Sequence, residues 1–491
     1  LSTHFFRKCG ALFFVFNFKN DIILYMPKTK IQTKSFPKAP ALRYLIGPSF
    51  ILIGLGLGSG EIILWPYLSS NYGMGIIWAA VLGVSFQFFM NMEIERYALV
   101  KGESVFVGFN RMWKGLPYWF IITSFLGFAW PGMSAASAVL IGKIFGIESN
   151  THYIAIALLI ITGLLFTLGP SLYKIVEAFQ KWIILISVPF IAVITIILAR
   201  AADWFALGRG LVGIGDGYTF VPEGIAVAVF LSAFAYAGAG GNLNLAQSLY
   251  IKDKGYGMGK YAGKIKSIVT GKSHAQVSAE SKVKFEMNES NIANFKIWWK
   301  RINTEHALVF WFTGAFTMIM LAFLSYITAH KGAGIAEGID FILLESDMIS
   351  LSLAPIIGII FLFVGGVMLL STQIGVFEAC SRIIVENIAI RRESSGKKYN
   401  MSKMFYFILW MFIIFGIIVM LLGFNEPRAL IVLGAVINAF AMLVHLVLTY
   451  ILNHRELEKA FQPIWWRKLI IFAEIAFFAI FSGIVFWDRL M

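Results

Sequence analysis

Apolar residues fill this chain in long runs, and polar residues gather in the connections between them. An α-helix needs roughly 20 residues to cross a bilayer. On that measure eleven spans are predicted: 44–70, 74–98, 117–146, 152–168, 174–199, 222–249, 306–329, 351–379, 404–424, 428–452 and 466–487. The expected fold class is an all-α polytopic membrane protein. Two spans break near the middle, at corresponding places about 180 residues apart. The first reads LIGPSFILIGLGLGSG over 45–60 and continues at Glu61 with IILWPYL. The sixth reads IAVAVFLSAFAYAGAGGNLNLAQSLYI from Ile225. Each carries a glycine-rich knot followed by a polar residue. Irregular backbone at membrane depth is tolerated only where it is buried in protein or lines a cavity. Paired interrupted spans in two halves of a chain point to the binding site of a secondary transporter.

Positive charge orients the spans. Lys28, Lys30, Lys34, Lys38 and Arg43 precede the first span, and Arg96, Lys101, Arg111 and Lys114 follow the second. The connection 250–305 is rich in lysine, and further clusters separate the eighth span from the ninth and the tenth from the eleventh. All fall on one side when the N-terminus is cytoplasmic. The opposite side is poor in Lys and Arg, and its 330–348 loop carries Glu337, Asp340, Glu345 and Asp347. The pattern implies a multi-pass protein of the cell (plasma or inner) membrane, whose partner is the lipid bilayer.

The organisation follows from the count. Residues 1–43 form an N-terminal cytoplasmic segment, in which 1–25 precede the basic stretch MPKTKIQTKSFPKAP and read as a leader or a mis-assigned start. Residues 44–199 hold five spans, and 222–452 hold five more around the cytoplasmic loop 250–305. Five is odd, so the second half enters from the opposite side and any repeat is inverted. The helix at 466–487 is an addition, suited to packing or dimerisation.

Composition agrees. The chain is 58% hydrophobic and 14% charged, with a mean hydropathy of +0.77, whereas soluble domains carry about 25% charged residues. Its net charge of +14 lies in the connections, which argues against nucleic acid as a partner. Cys9 and Cys380 are too few for a disulfide framework or a cysteine-rich metal site. Gly208-Arg-Gly-Leu-Val-Gly213 fits a dinucleotide fingerprint but lies between spans rather than in a βαβ unit, so it reads as a turn. Thr270-Gly-Lys-Ser273 lacks the first glycine of a phosphate loop, since position 266 is Lys266. No ATP site and no cofactor is expected, and an ion gradient is the expected energy source.

The chemistry gathers at the two breaks. Gly54, Gly56, Gly58 and Gly60 suit close helix packing, but this does not explain Ser59-Gly60-Glu61. An unpaired acid at membrane depth costs roughly 2.5–3.5 kcal/mol on insertion scales. Beside an unwound glycine run it can join free carbonyls in an all-oxygen cation site. In the sixth span Gly238, Gly240 and Gly241 precede Asn242, Asn244 and Gln247, which offer amide oxygens or act as interhelical glue. In the eighth span Glu378 and Arg382 are spaced for an intrahelical pair, while Gln373 lies deeper, as a pathway residue. Glu93, Glu95 and Arg96 close the second span, and Glu177 with Lys181 opens the fifth, as inner-gate salt bridges or boundary charges. Trp65, Trp130 and Trp298-Trp299 read as packing or interfacial anchors.

Several of these pieces, in this order, resemble the Nramp family of metal-ion transporters. They are Gly47-Pro48-Ser49-Phe50 before a broken first span, ERYALVKGES at 95–104, YKIVEAF at 173–179 and STQIGVFEA at 371–379. The resemblance covers most of 44–452. It implies a LeuT-like 5+5 inverted repeat with broken helices 1 and 6, moving divalent metals, usually with protons. The family's Asp-Pro-Gly-Asn is here Gly58-Ser59-Gly60-Glu61, and its Met-Pro-His is Gly240-Gly241-Asn242. With the thioether gone, oxygen donors suit hard ions such as Mg²⁺. The expectation is a cation carrier working by alternating access and coupled to protons or sodium. Its ion-binding residues are expected to be Gly58, Ser59, Glu61, Gly240, Asn242 and Gln373, with Glu61 and Asn242 on the metal. Asn244, Gln247, Glu93, Arg96, Glu378 and Arg382 would stand behind them or at a gate. An alternative is a cation-coupled symporter of an amino acid or similar solute. A membrane enzyme or scaffold, from another class, is disfavoured by the lack of any His/Asp/Glu cluster with catalytic or ligand spacing.

Overall fold

The computed structural model describes residues 32–45, 47–168, 172–262, 283–330, 338–394 and 400–490. Among them, ten helices are long and apolar enough to cross a membrane by length and composition. The sixth expected span is absent from that set because it is two short helices, Val227–Ala235 and Gly241–Lys254, joined by non-helical backbone. Order and number therefore follow the hydropathy pattern, and the protein is an all-α polytopic membrane protein.

Burial sorts the spans into inner and outer positions. In the first span, Pro48–Tyr72, 94% of the apolar window lies inside the protein, against 33% for Thr151–Leu168 and 22% for Trp465–Trp487. The first span is thus the centre of the bundle, while the fourth and eleventh face lipid. Leu164, Leu168, Ile186, Leu469 and Ile480 are exposed, which is the expected state of apolar side chains where the surrounding solvent is hydrocarbon.

Three expected boundaries change. The seventh span is the upper part of a single helical rod, Glu289–His330, so the end of the 250–305 connection is helix rather than loop. Part of the acidic 330–348 loop is the helix Asp340–Ser352, packed against the eighth span. The eighth span itself runs from Pro355 to Ser394, because nothing in its sequence stops the helix at the membrane surface. The Gly208–Gly213 motif is not simply a turn. Gly208 and Gly210 lie in the helix Ala201–Leu211, and the turn begins only after it, where Gly213 adopts a φ of 81°. The Thr270–Ser273 motif and residues 1–31 lie outside the described residues.

The N-terminal segment is docked. Gln32–Thr33 pairs in parallel with Val283–Lys284. Phe36 is buried edge-on to Phe285 and Phe295, and its N–H donates to Asn291 Oδ1 at 2.9 Å. Trp298 Nε1 donates to Pro37 O at 2.8 Å, and Arg301 donates to the carbonyls of Ala39 and Pro40. Trp298 is thus a buried packing residue. Trp299 takes the Arg96 guanidinium on its face, 3.9 Å from the ring centre.

Candidate functional site

The two irregular segments meet at the centre of the bundle. The first does not unwind. Its α-helical ladder is replaced over Leu57–Leu64 by a π-helical segment, which keeps the backbone hydrogen-bonded. Such wide turns are uncommon and occur often at functional sites. The second break is true non-helical backbone between Ala235 and Gly241, with Gly240 and Gly241 at φ of 76° and 52°. Glycine permits this contact. A Cβ on Gly60 would lie 1.6 Å from Tyr236 O, and one on Gly56 would lie 2.5 Å from Gly238 O.

Side chains from neighbouring spans hold both segments. Gln87 of the second span donates through Nε2 to Ala235 O at 3.0 Å and Phe234 O at 3.3 Å. Its Oε1 accepts from Gly240 N at 3.1 Å. One amide thus spans the break and satisfies groups that a continuous helix would have paired. Thr372 of the eighth span accepts from Gly58 N at 2.8 Å and donates to Gly54 O at 3.0 Å. Asn438 of the tenth span donates to Tyr236 Oη and to Gly127 O, both at 3.0 Å.

Glu61 is fully buried within the π segment, and neither carboxylate oxygen has a hydrogen-bond partner. It faces the seventh span at Gly314, where an added Cβ would sit 3.8 Å from Oε1, beside Ile53 and Val84. An acid so placed has lost its water without gaining a donor, an arrangement that is costly unless a cation or proton joins it. Asn242 faces elsewhere. Its Nδ2 donates to Thr123 Oγ1 at 2.8 Å, Ser124 Oγ at 2.7 Å and Phe120 O at 3.2 Å, all on the third span. Its Oδ1 is buried without a partner. The Asn242 amide nitrogen is therefore engaged with the third span, following the left-handed turn at Gly240–Gly241.

The other expected residues divide in the same way. Gln373 lies near the breaks, its Oε1 accepting from Ser134 N at 3.3 Å. Gly58 contributes its N–H to Thr372. Gly240 contributes its N–H to Gln87. Ser59 and Asn244 are buried, and neither Asn244 side-chain atom has a partner. Gln247 donates to Glu95 Oε1 at 2.5 Å. Glu93 and Arg96 form a two-pronged pair at 2.7 and 3.0 Å, which Arg467 of the eleventh span joins at 3.3 Å. Glu378 and Arg382 are more than an intrahelical pair, since Arg382 also reaches Asp253 of the sixth span at 2.5 Å. Glu177 pairs with Lys254 at 2.9 Å instead of with Lys181.

Gln87, Thr372, Asn438 and Gln180 were absent from the expected site. Gln180 of the fifth span is buried against Gly54 and Gly375, with both amide atoms unpartnered. Each is a neutral polar residue within an apolar run, which was the signal available. A small cavity beside the π segment is lined by Ile62, Met368 and the buried Glu345, so part of the acidic loop reaches inward.

No family model matches the sequence. No curated protein matches it either. Solved structures do. A manganese transporter of Eremococcus coleocola, as its E129A mutant, superposes with a TM-score of 0.66 at 12% identity, covering 93% of this chain and 89% of that one. Mhp1, a nucleobase-cation-symport-1 family transporter in a closed conformation with bromovinylhydantoin bound, gives 0.54 at 11% identity over 91% and 86%. MhsT in complex with L-phenylalanine gives 0.51 at 16% identity over 89% and 97%. At these identities the likeness is one of fold, the fold that these three proteins share.

Proposed function

We propose that this secondary transporter carries a small hard cation, with Glu61 as the charge that attracts it. The observation that carries the reading is the Glu61 carboxylate, buried without a partner where the π segment meets the sixth-span break. A carboxylate is a hard oxygen donor, and a cation of the magnesium type suits it. We further propose that the end of the bundle bearing the N-terminus is cytoplasmic, that the protein sits in the cell membrane, and that the two groups of five spans are inverted repeats. The fold likeness to a manganese transporter supports a metal cargo, while the likeness to MhsT keeps amino acids in the assay panel.

Glu61→Gln tests the assignment, since it keeps the shape and removes the charge. Purified protein in proteoliposomes, supplied with Mg²⁺, Mn²⁺, Na⁺ or amino acids, should transport one of them, and the variant should fold but not transport. A well-expressed, fully active Glu61→Gln protein removes Glu61 from the site. A variant that fails to reach the membrane would make it a structural charge instead.

A further inference from the structure

A second group of buried polar side chains lies nearer the end of the bundle that bears the N-terminus. It joins the first, second, sixth and seventh spans. Ser49 Oγ donates to Glu305 Oε2 at 2.6 Å and lies 2.8 Å from His306 Nδ1. Since the hydroxyl hydrogen goes to Glu305, His306 carries its proton on Nδ1 and Ser49 Oγ accepts it. The same Nδ1 is 3.4 Å from Glu95 Oε1, which also accepts from Gln247 Nε2 at 2.5 Å. His306 is held flat between Phe88 and Phe310, with ring centres 5.5 and 4.7 Å away. All five polar residues are 5% exposed or less.

Three acceptors in this group have no partner: Glu95 Oε2, Glu305 Oε1 and His306 Nε2. The charges around it are few. Lys254, on the sixth span, lies close enough to act on Glu305 but is paired with Glu177 of the fifth. Glu93, Arg96 and Arg467 satisfy one another on the neighbouring turn of the second span and on the eleventh. Two carboxylates and a neutral imidazole thus share a dry site with little compensating charge. Like charges in so dry a site are costly, and a proton on either acid relieves them. Glu95 is a residue the resemblance does not assign to binding, and His306 was not among the expected site residues.

We propose that this cluster is a proton-binding site, and that its proton fastens the four spans together at this end of the bundle. With one proton present, Ser49, His306 and Glu305 join the first and seventh spans, Glu95 of the second lies 3.4 Å from the imidazole, and Gln247 ties in the sixth. Loss of the proton leaves two like charges in the dry site, which drives the spans apart and admits water. The idea deepens the carrier reading by naming a proton as the ion whose binding and release gates this end. It rests on that reading only for its purpose, since proton binding and fastening are measurable without any cargo.

Hydrogen exchange read by mass spectrometry, on purified protein in detergent without added cargo, tests both. In wild-type protein, exchange in 48–56 and 241–254 should rise by roughly tenfold or more between about pH 6 and pH 9, beyond the intrinsic pH dependence of exchange. Glu95→Gln should be protected and insensitive to pH, because an amide supplies a permanent hydrogen and no charge. Glu305→Gln should behave alike, which guards against one variant failing to fold. Exchange that ignores pH in wild-type protein overturns the proposal. Sodium that restores protection at high pH overturns it too, by making a metal cation the occupant. Because no cargo is present, a protein that transports no metal can still pass this test, and a metal carrier can fail it.

Discussion

Replacing Gly60 by alanine puts a methyl group 1.6 Å from the carbonyl oxygen of Tyr236. Ordinary contact begins near 3.4 Å, so the two segments must part by about 1.8 Å. The obstacle is backbone, and that backbone is tied by Gln87 to both sides of the break. Rotating a side chain gives no relief. Overpacking typically costs about 1–3 kcal/mol, and a fixed carbonyl places this case at about 3. Alanine is otherwise the better helix former by about 0.5–1 kcal/mol, which offsets only part of the loss. Gly208 supplies the control, since it is helical and has nothing within 4 Å of an added Cβ. Gly208→Ala should therefore hold or raise the melting temperature measured by fluorescence-detected size-exclusion chromatography, while Gly60→Ala lowers it and abolishes transport. A Gly60→Ala protein that melts and transports like wild type would refute the claim that the π segment and the sixth-span break are in contact.

Other expectations follow from the same geometry. Gln87→Leu removes three hydrogen bonds at about 0.5–1.5 kcal/mol each; it should lower the melting temperature and raise hydrogen exchange at 235–241, and unchanged exchange there would mean the amide does not hold the break. In a Cys9→Ser background, Asp216→Cys should react with an impermeant thiol reagent on intact cells and Lys459→Cys should not; both positions are exposed, on opposite ends of the bundle, and the reverse labelling overturns the orientation. Cation competition in proteoliposomes should show little preference for Cd²⁺ over Mg²⁺. Strong Cd²⁺ uptake indifferent to excess Mg²⁺ would instead point to the Met368 thioether beside Ile62.

The fold was legible because a bilayer imposes one strong rule, roughly 20 apolar residues per crossing, and the spans obey it. The rule marks where a helix enters lipid but not where it ends. Glu289–His330 and Pro355–Ser394 thus continue well past the expected limits, since Lys, Arg and Glu are sound helix formers once in water. The glycines marked both irregular segments, yet composition does not distinguish a π turn from an unwound one. That difference depends on Thr372 and Gly238, which lie on other spans. Glu61 was readable as an acid in an apolar run. The engagement of Asn242 with the third span was not, because its direction is set by two left-handed glycines. Glu95 and His306 looked like boundary residues in a one-dimensional reading, and only the packing of four spans brings them together.

The rod Glu289–His330 contains 42 residues. At about 1.5 Å per residue it extends roughly 60 Å, about twice the hydrocarbon thickness. Its protruding half is gripped by the segment that leads into Pro48, through Asn291, Trp298 and Arg301. The first and seventh spans therefore share a handle outside the bilayer as well as the Ser49–His306 contact within it. Parts joined at two heights cannot slide independently; they swing as one lever about the grip. A force on the N-terminal strap is carried along an unbroken helix to Gly314, beside the carboxylate of Glu61. An antibody fragment or fusion that immobilises residues 32–45 would thus act as a brake on the centre of the protein without touching it.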